Sequence, residues 1–155
     1  RAFREAGANG VVMAEPLAGL LSPTLAKEFA HPYAKKLIEA VQTDDFCVIY
    51  HNCGNNVPMM AADIYDIGAL GYHFGDAIDL MSVLPLAPSD ALVMGNISPA
   101  AQFRGGTPES MVCVTRELLK KCGSYRNFVI SSGCDIPPLS PWENIDAFFA
   151  AAKGE

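Results

Sequence analysis

The chain has 155 residues, half of them apolar and 18% charged, with a formal net charge of −6. That is enough apolar material for one well-buried domain and too much for a disordered chain. The longest basic clusters are the pairs Lys35-Lys36 and Lys120-Lys121. Nucleic-acid binding, which needs a basic stripe, is therefore disfavoured. So is a membrane span, because no apolar run is long enough, and the N-terminus lacks a charged-then-apolar leader pattern.

In chain order, Arg1-Ala-Phe-Arg-Glu-Ala-Gly7 reads as a helix end. Arg1 rather than Met opens the sequence, so residues 1–155 are expected to form one domain that is part of a longer protein. Gly10–Ala14 is the first candidate strand. Ser22-Pro23 supplies a cap and a first-turn proline for an amphipathic helix running to Ala40. Cys47–His51 is the second strand, followed by a weaker helical stretch over Asn56–Ile67. Gly71–Gly75 is the third strand, with a short helical stretch at Leu80–Leu84, and Ala91–Gly95 is the fourth. Thr107-Pro108 starts a helix over Glu109–Lys121 that stops at Cys122-Gly123. Asn127–Ser131 is the fifth strand, and Ser140-x-x-Glu143 with Pro141 reads as a capping box opening the last helix.

Alternation of this kind predicts a parallel sheet with crossover helices. Five units in 155 residues, against about 250 residues for a complete barrel, predict an α/β fold comprising the C-terminal portion of a TIM (β/α)₈ barrel. An open doubly wound sheet is the alternative, though no Gly-x-Gly-x-x-Gly follows a strand.

Reactive groups in a parallel barrel collect at the C-terminal ends of its strands. The polar residues of this chain lie there: Glu15; His51, Asn52 and Cys53; Asp76 and Asp79; Asn96 and Ser98; Cys134 and Asp135. His51 and Cys53 are two apart, so in extended backbone they leave on one side of the strand. Cys134, 81 positions after Cys53 at an equivalent strand end, completes a soft N/S set. Three such donors suit Zn²⁺ and leave a fourth position open, as in catalytic sites. The competing reading makes Cys53 and Cys134 small buried hydrophobes. Glu15 is a displaceable fourth ligand, a base, or a solvated strand-end carboxylate. Asp76 and Asp79 are placed near the pocket, with Asp79 better suited to start a helix. Cys47, Cys113 and Cys122 read as packing residues and His31 as a surface or packing histidine, while His73 is left open. Met59-Met60 reads as gap-filling or as the floor of an apolar pocket. An odd count of five cysteines in apolar context argues against a disulfide framework and for a reducing cytoplasm.

At these residues the sequence resembles the uroporphyrinogen decarboxylase family along its whole length. The resemblance rests on Glu15-Pro-Leu-Ala-Gly-Leu-Leu-Ser22-Pro23 with Glu28-Phe29 and Pro32-Tyr33, on Gly95-Asn96-Ile97-Ser98-Pro99, and on Pro137-Pro138 followed by Pro141, Glu143-Asn144-Ile145 and Phe148. It implies a TIM barrel of which this chain is the C-terminal part. The haem-pathway decarboxylases carry Gly-His where this chain has Gly133-Cys134, and they lack a metal. The zinc-dependent corrinoid:thiol methyltransferases are similar at all three positions, which implies His51, Cys53 and Cys134 as ligands of one Zn²⁺ per site. That branch also implies a cobamide carried by a partner corrinoid protein and a small thiol acceptor such as coenzyme M. In the site this resemblance implies, Glu15 takes the thiol proton and Asn52, Asp76 and Asn96 are the substrate-binding residues. The alternatives are a decarboxylase acting on a porphyrinogen, and an inactive fragment or non-catalytic zinc-binding barrel half. Lacking an N-terminal half, the fragment is expected to pair with it or to form homo-oligomers.

Overall fold

A computed structural model describes residues 1–155. Five strands alternate with helices: α1 (Ala2–Glu5), β1 (Gly10–Ala14), α2 (Pro23–Phe29), α3 (His31–Val41), β2 (Cys47–Asn52), α4 (Ala61–Tyr65), β3 (Gly71–Phe74), β4 (Leu92–Ile97), α5 (Pro108–Cys122), β5 (Phe128–Ser132) and α6 (Trp142–Lys153). All five strands are parallel and hydrogen-bond in the order β1-β2-β3-β4-β5. A doubly wound sheet would reverse direction at a switch point. Sequential order is the rule of a barrel, and the fold is part of a TIM barrel.

The register puts Ala14, His51, His73, Met94 and Val129 in one row across the sheet. Because strand side chains alternate, the neighbouring residues face the helices. Val48, Tyr50, Tyr72, Phe74 and Val93 do so, forming with Ile38, Ile64 and Leu84 a buried cluster between sheet and helices. A smaller cluster of Ile97, Phe103, Met111 and Phe148 packs α5 and α6 onto β4 and β5. The opposite row, with His51 and His73, faces the barrel lumen.

Local chemistry explains most boundaries. Ser22 caps α2, its Oγ accepting from the Leu25 amide, with Pro23 in the first turn. The helix expected to reach Ala40 is instead two, broken at Ala30, which ends α2 and starts α3. Pro32 sits in the first turn of α3, where its missing N–H costs nothing but bars continuation from α2. The stretch 56–67 is a 3₁₀ turn at Val57–Met60 followed by the short α4, and Leu80–Leu84 is resolved into two 3₁₀ turns separated at Val83. Asp79 caps the first of these turns by accepting from the Met81 amide.

Two expectations are corrected at the last helices. Ser140 does not cap α6: its hydroxyl donates to the Pro137 carbonyl, and Pro141 occupies the cap position. A reciprocal capping box forms at α5 instead, between Thr107 and Ser110. Cys122 is buried, but Cys113 is exposed on α5 rather than packed. His31 is buried, Met60 lies in the core and Met59 is exposed. No helix is long and apolar enough to cross a membrane.

Candidate metal centre

The ligating atoms of His51, Cys53 and Cys134 lie within 4.8 Å of one another: His51 near the C-terminal end of β2, Cys53 just after that strand and Cys134 just after β5. They are the one group of three or more His, Cys, Asp or Glu side chains in the structure placed to hold a metal ion. Cys134 Sγ is 3.6 Å from His51 Nε2. Tetrahedral bonds of about 2.0–2.1 Å to nitrogen and about 2.3 Å to sulfur separate N and S by about 3.6 Å. The donor set fits Zn²⁺ in chemistry, and the His51–Cys134 pair fits it in spacing.

His51 is presented in the correct tautomer. Its Nδ1–H donates to the His73 carbonyl oxygen at 3.1 Å, and a carbonyl can only accept. The lone pair is thereby left on Nε2, which faces Cys134. Backbone carbonyls placed like this one are among the usual outer partners that orient metal-binding histidines. Burial holds the His51 pKa below its ordinary value, and nearby His73 adds to the effect against the opposing His73 carbonyl and Asp135. The ring is therefore neutral, the ligand form, at pH 7. Burial raises the Cys53 thiol pKa, with Cys134 adding to it. Metal uptake must then expel a proton from Cys53, which makes affinity rise with pH.

The loops that carry these donors are pressed together by glycines. A Cβ at Gly75 would overlap the Cys53 side chain and lie 2.6 Å from Cys53 Cα. A Cβ at Gly133 would lie 2.5 Å from the Asp76 backbone nitrogen. The loops after β2, β3 and β5 thus approach to backbone contact, which brings Cys134 to His51 although β3 and β4 separate their strands.

The other expected site residues are placed differently. Asn52 is fully buried, its amide donating to the Tyr50 hydroxyl and its carbonyl oxygen accepting from the Gly54 amide, both at 3.0 Å. It braces the Cys53 turn from behind, and as a substrate contact the expectation is corrected, because both polar ends are occupied inside the protein. Asp76 and Asn96 line one cleft of about 260 Å³ with Ser98, Gln102, Glu117 and Lys121, bordered by none of the three donors. Asn96 also ties the turn after β3 by donating to the carbonyls of Gly75 and Ile78. Glu15 lies outside the donor cluster. Its amide donates to the His51 carbonyl at 2.9 Å, and its Oε2 is buried without a hydrogen-bond partner. Burial raises its pKa, opposed by the nearby Tyr50 hydroxyl. His73, left open by the sequence, is the neighbour of His51 in the lumen row; the shared odd parity of the two histidines on adjacent strands is the pattern that locates it.

The family model for Uroporphyrinogen decarboxylase (URO-D) matches residues 1–154. The chain belongs to the uroporphyrinogen decarboxylase family. Among curated relatives of this family, a methylcobamide:CoM methyltransferase MtbA of Methanosarcina acetivorans is 28% identical over 156 residues, covering 99% of this chain and 44% of that protein. A uroporphyrinogen decarboxylase of Synechococcus sp. (strain CC9605) is 31% identical over 153 residues, covering 96% of this chain and 42% of that protein. A solved methyltransferase from Methanosarcina mazei superposes with a TM-score of 0.85 at 27% identity, over 99% of this chain and 44% of that one. The chain thus spans less than half the length of the family members it matches, and those members are enzymes.

Proposed function

We propose that the chain supplies the metal-binding part of a zinc-dependent methyltransferase that moves a methyl group from a methylated corrinoid protein to a small thiol. The observation that carries this reading is the convergence of His51, Cys53 and Cys134 at one end of the barrel strands. The methylcobamide:CoM methyltransferase relatives support it. His51, Cys53 and Cys134 hold the ion through one nitrogen and two sulfurs. Bound Zn²⁺ supplies the Lewis acidity that ionises a thiol near neutral pH. Three protein ligands would leave one position for the acceptor sulfur, to which a partner protein would bring its methyl group. Glu15 accepts the thiol proton: burial makes its carboxylate more basic than a solvated one, and Oε2 is free of hydrogen bonds. Asn52 and Asn96 hold the ligand-bearing loops through the contacts described above, and Asp76 borders the adjoining cleft.

The test is metal content by elemental analysis of the purified protein and of His51→Ala, Cys53→Ser and Cys134→Ser. About one zinc per chain is expected in the parent, from a single three-residue site, and none retained stoichiometrically in the variants. Tight zinc retention by all three variants would sink the assignment. A second reading, a decarboxylase acting on a porphyrinogen, is favoured by the 31% identity to uroporphyrinogen decarboxylases. Binding of a porphyrinogen by metal-free protein would bring it to first place.

A further inference from the structure

His73 touches both halves of the donor set without belonging to it. Its carbonyl oxygen accepts from His51 Nδ1. Its ring stacks on that of His51, with centroids 4.7 Å apart and planes tilted by 35°. Its Nε2–H donates to the Ser132 carbonyl at 2.7 Å, a short bond to the end of β5. Strand β4 lies between β3 and β5, so the ring bridges across it. Ser132 is two residues before Cys134, and the Ser131 hydroxyl donates to the same carbonyl at 3.0 Å, filling its second lone pair. The peptide that leads into Gly133-Cys134 is thereby fixed from the lumen side.

On the reading that His51, Cys53 and Cys134 bind a metal, we propose that His73 is a positioning residue: its imidazole N–H holds the β5 peptide so that Cys134 meets the lone pair of His51. The His73 main chain orients the imidazole ligand and its side chain orients the distant thiol. One residue on β3 thus joins two ligand arms whose own strands never touch. Outer-sphere partners of metal ligands are worth about 10- to 100-fold in metal affinity.

Three variants separate this role from simple packing. His73→Phe keeps a ring against His51 but has no N–H to offer Ser132. His73→Gln keeps an N–H donor without the ring, and His73→Ala removes both. Each is titrated with Zn²⁺ and Co²⁺, the thiolate-to-cobalt absorption is recorded, and the melting temperature of the metal-free form is measured. His73→Phe is expected to bind Zn²⁺ about 10- to 100-fold more weakly, with a diminished cobalt–thiolate band. His73→Gln is expected to recover most of both. Parent-like affinity and spectrum in His73→Phe overturn the proposal. Equal losses in Phe and Gln overturn it too, because the ring and not its N–H would then be what matters. If His73→Phe fails to fold, the Gln and Ala pair decides: equal affinity in those two is the refuting result. A parent protein that binds neither ion sinks the metal assignment itself, whereas a parent that binds with an indifferent His73 sinks only the positioning role.

Discussion

Gly75→Ala tests whether the donor set depends on close backbone approach. Gly75 does not occupy the positive-φ region, so alanine is conformationally allowed there and the effect is purely steric. The added methyl would lie 2.6 Å from Cys53 Cα, whereas unstrained carbons sit about 3.5–4.0 Å apart, so one side must yield by about 1 Å. Gly75 is anchored in its own turn: its carbonyl accepts from the Ile78 amide and from Asn96. The Cys53 turn is the part that moves. In the metal-free protein that movement relieves the clash; binding metal drags Cys53 back into it. Overpacking of this size costs about 1–3 kcal/mol. At about 1.4 kcal/mol per tenfold, this weakens zinc binding between about 5- and 150-fold. Competition against a chromophoric chelator reads the affinity, and thermal unfolding of the metal-free protein serves as the control. Unchanged affinity would refute the reasoning. So would a large fall in metal-free stability with affinity intact, which would mean that Gly75 yields instead.

Two further outcomes concern stability. His31 is 6% exposed with neither ring nitrogen hydrogen-bonded, and burial depresses its pKa below 6.5, with Asp63 opposing and Lys27 adding. A histidine with a depressed folded pKa is protonated first in the unfolded chain. Stability is therefore lost as pH falls below about 6.5 toward the folded pKa. His31→Leu removes that loss, so its melting temperature should fall less than the parent's between neutral and acidic pH; parallel curves would contradict the argument. Asn52→Leu leaves the Tyr50 hydroxyl and the Gly54 amide without their present partner, which should cost about 1–3 kcal/mol in denaturant unfolding. A cost well under 1 kcal/mol would show that those groups find other partners.

The strands and the clustering of His51, Cys53 and Cys134 are legible because each rests on a local pattern. Val48-Ile49-Tyr50 and Phe128-Val129-Ile130 are β-branched and aromatic runs that end at glycine-bearing loops, and reactive residues follow each. Position at a strand end does not reveal the burial of Asn52, because parity decides its face: 52 shares its face with Tyr50, which points into the helix layer. Ala30 was invisible as a break, since Pro32 is compatible with the start of a new helix as well as with the middle of a kinked one. The six-residue π-helical turn at Pro99–Arg104 has no distinct composition to announce it. The bond from His73 to Ser132 spans 59 residues and depends on barrel curvature, which no local window contains.

An ion held by Cys53 and Cys134 would do more than chemistry. It would be a cross-link closing a loop of 81 positions that contains α4, β3, β4, α5 and β5. A covalent bridge over a loop of that length restricts the unfolded chain by about 4–5 kcal/mol. The ion would therefore act as a clasp on the whole sheet from β2 to β5. Four strands would have to dock before it could close, and once closed it would resist the separation of β5 from β4.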